Sequence, residues 1–185
     1  LVVKEPDASP YLSATLRKNA GDSSPREKFE SYLPPRVDGL EARMIPLPSY
    51  RNCFVCGIAR QDPGLERRFY ALDGPERQKI AVSPVGCAGD TGEAFYRFHR
   101  RGFLHPLPPL ALIDEIMGWG GFLLTASGSV TVGASYTFYR DIRVGEKLLV
   151  FGRGEKARGS AGSRLLYWAS GGAAAIRDDG TMEPI

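Results

Sequence analysis

The chain lacks the features that mark several large protein classes. Its 185 residues hold three cysteines, an odd number that cannot close into a complete intrachain disulfide framework. That usage reads as a reducing compartment, and hence a cytoplasmic protein. The sequence starts at Leu1 rather than Met, so a targeting segment ahead of it is left open. Long apolar runs are also lacking. Runs such as Leu110 to Ile113, Ile116 to Leu124 and Gly171 to Ile176 fall far short of the ~20 residues that cross a bilayer, so no membrane span is expected. The net charge is only +3, and basic residues are not gathered on one element as in nucleic-acid binders. The one dense basic cluster, Arg97 to Arg101, holds three arginines and His99. It reads either as a solvated strand end or as guanidinium forks for phosphate oxygens, with Arg100 and Arg101 as the candidates. No serine nucleophile elbow, phosphate loop, dinucleotide fingerprint, internal repeat or low-complexity tract occurs.

What is present suits one globular domain: 43% hydrophobic and 24% charged residues in a length able to bury a substantial core. Residues 1–50 stand apart, with seven of the fourteen prolines and few periodic apolar runs. A short helix is expected there, with Ser24 as N-cap, Pro25 at the first helical position and Glu27 completing a capping box. Phe29, Tyr32 and Leu33 would dock it on residues 51–185, so the arm is expected to wrap the main domain or lie across its dimer. From Leu65 onward the pattern shortens. Phe69 to Leu72 and Lys79 to Val82 read as strands around an Asp73-Gly74-Pro75 turn, and Glu93 to Phe98 as a further strand.

Pro106 to Ala126 is the one convincing long helix, with Leu110, Ile113, Met117 and Gly120 or Gly121 at three- and four-residue intervals. Gly118, Gly120 and Gly121 would allow very close approach, unusual where glycine costs about 1 kcal/mol. Strands follow: Ser129 to Tyr139, with Val130, Val132, Ala134, Tyr136 and Phe138 on one face, then Glu146 to Glu155, Arg164 to Ser170 and Ala173 to Ile176. Asp178-Asp179-Gly180 supplies a hairpin turn. A long helix set among strand pairs argues an α+β fold, an antiparallel sheet around a central helix.

Cys53 and Cys56 admit three readings. A zinc half-site needs two more ligands, and no second Cys-x-x-Cys exists, although Cys87, His99 and His105 are candidates. A redox pair is expected where a strand enters a helix, whereas Gly57 and Pro63-Gly64 suggest a loop. The third reading, two small buried residues in a turn that docks the arm, fits the local sequence best.

Three segments in order carry a resemblance. Asn52-Cys53-Phe54-Val55-Cys56-Gly57 is followed by Asp62-Pro63-Gly64-Leu65; His105 precedes Asp114 by nine positions, continuing as Glu115-Ile116-Met117-Gly118-Trp119; and Val130-Thr131, Tyr139-Arg140 and Val144-Gly145-Glu146 come after. Over residues 52–180 the chain resembles the hotdog-fold acyl-CoA thioesterases, in the branch with a Cys-Phe-x-Cys-Gly signature that includes phenylacetate-degradation-type enzymes. The resemblance implies an antiparallel sheet wrapped around one helix, and a homodimer or dimer of dimers with active sites between subunits. The substrate is implied to be acyl-CoA or an acyl-carrier thioester, with no metal or bound cofactor, coenzyme A being part of the substrate.

By that resemblance Asp114 is the general base, expected to be a buried carboxylate of raised pKa. Thr131 orients the attacking water, and His105 opens the helix. The family's His-Gly-Gly is here His105-Pro106-Leu107, followed by Pro108 and Pro109. Pro106 has no N–H, which leaves the Leu107 N–H for the thioester oxygen. Glu115, Trp119, Arg140 and Arg143 are carried over as substrate contacts. Asp141 stands where a proline is common, and a surface ion pair is the alternative role for the arginines. Trp119, Phe122 and Trp168 are acyl-pocket or plain core residues. The altered entrance also suits two other functions, a dehydratase, isomerase or biosynthetic step on the same scaffold, and an acyl-thioester-binding protein without turnover.

Overall fold

The computed structural model describes residues 52–57, 62, 64–73, 79–87, 90, 92–159 and 165–185, together with the backbone of four short strands nearer the N-terminus. Those four are β1 (Val2–Val3), β2 (Leu12–Ser13), β3 (Leu16–Lys18) and β4 (Arg43–Met44). The main strands are β5 (Tyr70–Asp73), β6 (Lys79–Val85), β10 (Leu148–Arg158), β11 (Leu166–Ile176) and β12 (Met182–Pro184). With β4 they form a six-stranded antiparallel sheet in the order β12-β11-β10-β6-β5-β4. A single long helix, α2 (Leu107–Thr125), lies across β10, β11 and β6. The fold is α+β, as expected. The helix anticipated around Ser24 lies outside the described residues.

Strand alternation gives the sheet two apolar faces. Leu148 and Val150 of β10, with Ala173 and Ala175 of β11, bury against Leu112, Ile113, Ile116 and Trp119 of α2. Leu149 and Phe151, one residue out of phase, join Leu72, Ile80 and Val82 on the opposite face. The buried helix stripe is rotated from the expected one: Leu112 and Ile116 are fully buried, while Leu110 and Met117 are only half-buried. By length and composition α2 is apolar enough to cross a bilayer, at mean hydropathy 1.2. About a third of that stretch is buried, Leu112 and Ile116 completely, while Leu107, Phe122 and Leu124 are exposed.

Glycines set the distance between helix and sheet. A Cβ on Gly120 would lie 2.7 Å from the Arg153 backbone, and one on Gly152 would lie 2.6 Å from the Ile116 carbonyl oxygen. A Cβ on Gly121 would overlap the Tyr167 ring. Gly118, in contrast, faces open space.

Several segments differ from the sequence expectation. Residues 93–98 are no strand: Glu93–Tyr96 forms a short helix, α1, and three consecutive residues, Ala94, Phe95 and Tyr96, are buried. Three buried neighbours in a row suit a helical turn set on the core; an edge strand would alternate. The chain then makes a hairpin from β7 (His99–Arg100) and β8 (Phe103–Leu104). Its two-residue turn, Arg101 at φ 53° and Gly102 at φ 82°, has the positive angles that match strand twist. The alternating run Ser129 to Tyr139 yields only β9 (Tyr136–Phe138), which pairs in parallel with β3. Val130 and Val132 are 85% and 83% exposed, because an alternating stripe becomes a strand only where a partner strand meets it. Arg164 to Ser170 and Ala173 to Ile176 merge: β11 runs unbroken from Leu166 to Ile176 through Gly171 and Gly172.

A half-buried ion pair pins the segment ahead of β5. Arg67, 3% exposed, grips Asp90 through two N–H···O bonds of 2.6 and 3.1 Å. Asp90 also accepts from the Gly86 and Gly92 backbone N–H groups. Burial alone would raise the Asp90 pKa, but the Arg67 hydrogen bonds and charge, with the backbone donors, outweigh it and leave the carboxyl below its usual value.

Two stability measurements follow. Gly152→Ala should lower the unfolding free energy by about 1–3 kcal/mol in denaturant titration, since the carbonyl it meets belongs to the helix backbone. Gly118→Ala should instead raise it, by up to about 1 kcal/mol. Asp90→Asn should cost roughly 3 kcal/mol at neutral pH by leaving the Arg67 charge unpaired. Because the folded-state pKa of Asp90 is depressed, its contribution is complete above the unfolded value near 4 and is lost as pH falls through the folded value. The gap between wild type and Asp90→Asn should therefore close in strong acid.

Candidate active site and cysteine turn

Asp114 sits midway along α2, half-buried, on the flank away from the buried stripe. Its Oδ1 accepts from the Thr131 hydroxyl at 3.0 Å and from the Tyr136 hydroxyl at 3.3 Å. Thr131, seventeen residues further on, is thus brought to the carboxylate although the segment that carries it has no regular structure. Tyr136 was not among the sequence candidates; it was visible only as one apolar-face position of the alternating run. Burial and the neighbouring Asp114 charge push its pKa up to about 12. The phenol therefore stays protonated and donates to the carboxylate throughout the ordinary pH range.

Two cavities meet at this pair. A groove of about 1020 Å³ is lined by Asp114, Gly118, Val130, Thr131 and Tyr167. A smaller, mostly apolar pocket of about 220 Å³ lies between helix and sheet, lined by Ile113, Tyr136, Phe138, Ile142 and Ala173. Met117 borders both. The absent side chain of Gly118 keeps the groove open beside Asp114.

The start of α2 is poor in donors. Pro106, Pro108 and Pro109 carry no N–H, and the Leu110 N–H bonds the Pro106 carbonyl at 3.1 Å. That leaves the Leu107 N–H, which donates to Nδ1 of exposed His105 at 3.2 Å. His105 therefore satisfies the same N–H that the resemblance assigns to the thioester oxygen. Leu107 and Asp114 are seven residues apart on one helix, a rise of about 10 Å. The two groups therefore stand about two helical turns apart along α2.

Arginines divide into two groups. Arg140 is tied into an ion-pair cluster, with Nη1 2.9 Å from Glu146 and Nη2 3.6 Å from Glu183, which anchors the 141–146 turn to β12. Arg100, Arg101 and Arg143 are exposed. The pairing Arg100↔Phe103 and the bridge Phe103↔Arg143 place Arg100 and Arg143 on one face, two strand spacings or roughly 10 Å apart. Arg101 sits at the hairpin tip beside them.

Glu115 and Trp119 line neither cavity. Trp119 is core, its ring 6.0 Å from Phe69 and 5.5 Å from Phe122. Trp168 is exposed and lies under the Lys156 ammonium at 4.6 Å. Glu115 turns toward the cysteines: its Oε1 accepts from Trp119 Nε1 at 3.3 Å and from the Cys56 thiol at 3.6 Å. Burial, then the charge of Cys53, raises its pKa. The residues 53–57 form a tight turn closed by Gly57 N–H to the Cys53 carbonyl at 2.8 Å. The Cys56 thiol and the backbone N–H groups of Val55, Cys56 and Gly57 point at the Cys53 sulfur and lower its pKa, while the Cys56 pKa rises in compensation. Among the described residues, Cys53, Cys56 and Glu115 are the one group with metal-ligand geometry, all three ligand atoms within 4.8 Å of one another.

Compared with protein-family models, characterised proteins and solved structures, the chain gives no match.

Proposed function

We propose that the chain is a hotdog-fold acyl thioester hydrolase, acting on acyl-CoA or an acyl-carrier thioester, with Asp114 as general base in a site shared between two copies. The observation that carries this reading is the Asp114 carboxylate, held by Thr131 and Tyr136 at the junction of a large groove and a smaller apolar pocket. A water in the groove within reach of Asp114 would lose its proton to the carboxylate as it attacks the thioester carbon. Thr131 and Tyr136 occupy Oδ1, which leaves Oδ2 to face that water. The acyl group would enter the apolar pocket. At about 220 Å³ this pocket is smaller than the roughly 300 Å³ at which sites for drug-sized ligands begin, so a short or compact acyl group is the fitting substrate. The exposed face of Arg100, Arg101 and Arg143 suits the phosphates of coenzyme A.

A homodimer completes the site. The 10 Å rise separating Leu107 from Asp114 on one helix is bridged if the helix start comes from a second copy. The alternating segment 129–135, which pairs with no strand among the described residues and turns Val130 and Val132 outward, would offer that copy an edge to pair with.

One observation favours a second reading, an acyl-thioester-binding protein without hydrolysis. The Leu107 N–H already has His105 as acceptor, and the three neighbouring prolines donate nothing. Hydrolysis requires His105 to release that N–H to the developing oxyanion, whose stabilisation by a single donor is worth about 3–4 kcal/mol in enzymes.

Thiol release from a panel of short, long and aromatic acyl-CoAs separates these readings. Wild type should turn over short or compact substrates fastest, and Asp114→Asn should lose at least about 100-fold. An Asp114→Asn rate equal to wild type would reject the base. Tight binding with no thiol release by either protein would establish the binding protein instead. In that case, glycine at positions 106 and 107 should restore hydrolysis.

A further inference from the structure

We propose that Cys53, Cys56 and Glu115 form a Zn²⁺ site that clamps the 52–57 turn onto helix α2, a role independent of the hydrolase reading. Ligands at tetrahedral zinc distances, about 2.3 Å for sulfur and 2.0–2.2 Å for oxygen, sit roughly 3.5–3.8 Å from one another. The Cys56 sulfur is already 3.6 Å from the Glu115 oxygen, and the whole triangle spans no more than 4.8 Å. Side-chain rotation of a few tenths of an ångström to about 1 Å would close it on a metal.

Cys53 and Cys56 are three apart in a tight loop closed by the Gly57 N–H, which sets both sulfurs beside Glu115. The turn itself is held in place, since Phe54 and Val55 accept from the Leu65 and Arg67 N–H groups at 2.8 Å each. Glu115 is oriented from behind by the Trp119 indole N–H, the kind of outer hydrogen bond that ligating carboxylates use. Cys56 is buried and Cys53 half-exposed, so a fourth position lies toward solvent on the Cys53 side and would be filled by water. Two thiolates select zinc over magnesium or calcium. On binding, the cysteine S–H protons leave to solvent while the sulfurs keep the electron pairs that bond the metal. Cys87 belongs elsewhere, its sulfur lying against the Val85 and Leu148 carbonyls.

Cobalt serves as the spectroscopic probe. Titrated with Co²⁺ after EDTA treatment, the full chain should bind about one ion per chain and develop a thiolate-to-cobalt charge-transfer band in the near ultraviolet, bleached by Zn²⁺. Cys87→Ser should bind as wild type does. Cys53→Ser, changed at the half-exposed ligand to preserve the fold, should lose the band while its circular dichroism stays native. Glu115→Gln should weaken binding at least tenfold. Zn²⁺ should raise the melting temperature of wild type and leave that of Cys53→Ser unmoved. Absence of a charge-transfer band at stoichiometric Co²⁺ in wild type would overturn the site. So would a band that survives Cys53→Ser.

Discussion

The close approach of α2 to β10 is the constraint on which the rest of the molecule depends. Gly120 and Gly152 let backbone meet backbone where any side chain would intervene. That contact fixes both depth and rotation of the helix. With Ile116 and Leu112 driven into the sheet, Asp114 emerges on one flank and Glu115 on another. Neighbouring acids thereby acquire unrelated surroundings, one facing a groove with two hydroxyls and the other facing two sulfurs. The apolar pocket exists for the same reason, as the space left between helix and sheet beyond the glycine contact.

Electrostatics then assigns different work to those acids. Thr131 and Tyr136 both donate to Oδ1 of Asp114, a residue that lines the groove, the arrangement the proposed general base would use. The helix start is the weak part of the device. Three prolines remove donors, and His105 takes the one that remains. On the proposed reading, the Leu107 N–H is satisfied by His105 at rest and would be released only to a competing oxyanion. The arginine hairpin stands apart from this machinery; Arg140, taken up by Glu146 and Glu183, has a structural task.

Much of the scaffold was legible because its signals are local. The helix over 107–125 announced itself by apolar spacing and by Pro at its start. β6, β10 and β11 did so by runs of Val, Leu and Ala between turn residues. The glycines at 120 and 121 pointed to close contact, although the matching Gly152 across the gap drew no notice in a strand reading. Where tertiary context decides, local pattern misled. Phe95 and Tyr96 are aromatic enough for a strand, yet they are buried together and so curl into a turn of helix. Val130 and Val132 alternate well but pair with no strand among the described residues. The Asp114–Thr131 pairing came from the resemblance, since nothing in a seventeen-residue separation places a hydroxyl on a carboxylate. Tyr136 showed only as an apolar-face position of the alternating run, and the approach of Glu115 to Cys56, fifty-nine residues away, had no sequence signal at all.

On the proposed reading, one catalytic centre draws Asp114 from one copy and the helix start from another. Subunit complementation measures this directly. Asp114→Asn and Leu107→Pro chains, the second lacking the donor N–H, would each be purified alone and then co-expressed, and thiol release compared. Each variant alone should be inactive, whereas the mixture should recover about a quarter of the wild-type rate, since random pairing gives half hybrids with one intact site each. A mixture no more active than its separate components would contradict the shared site.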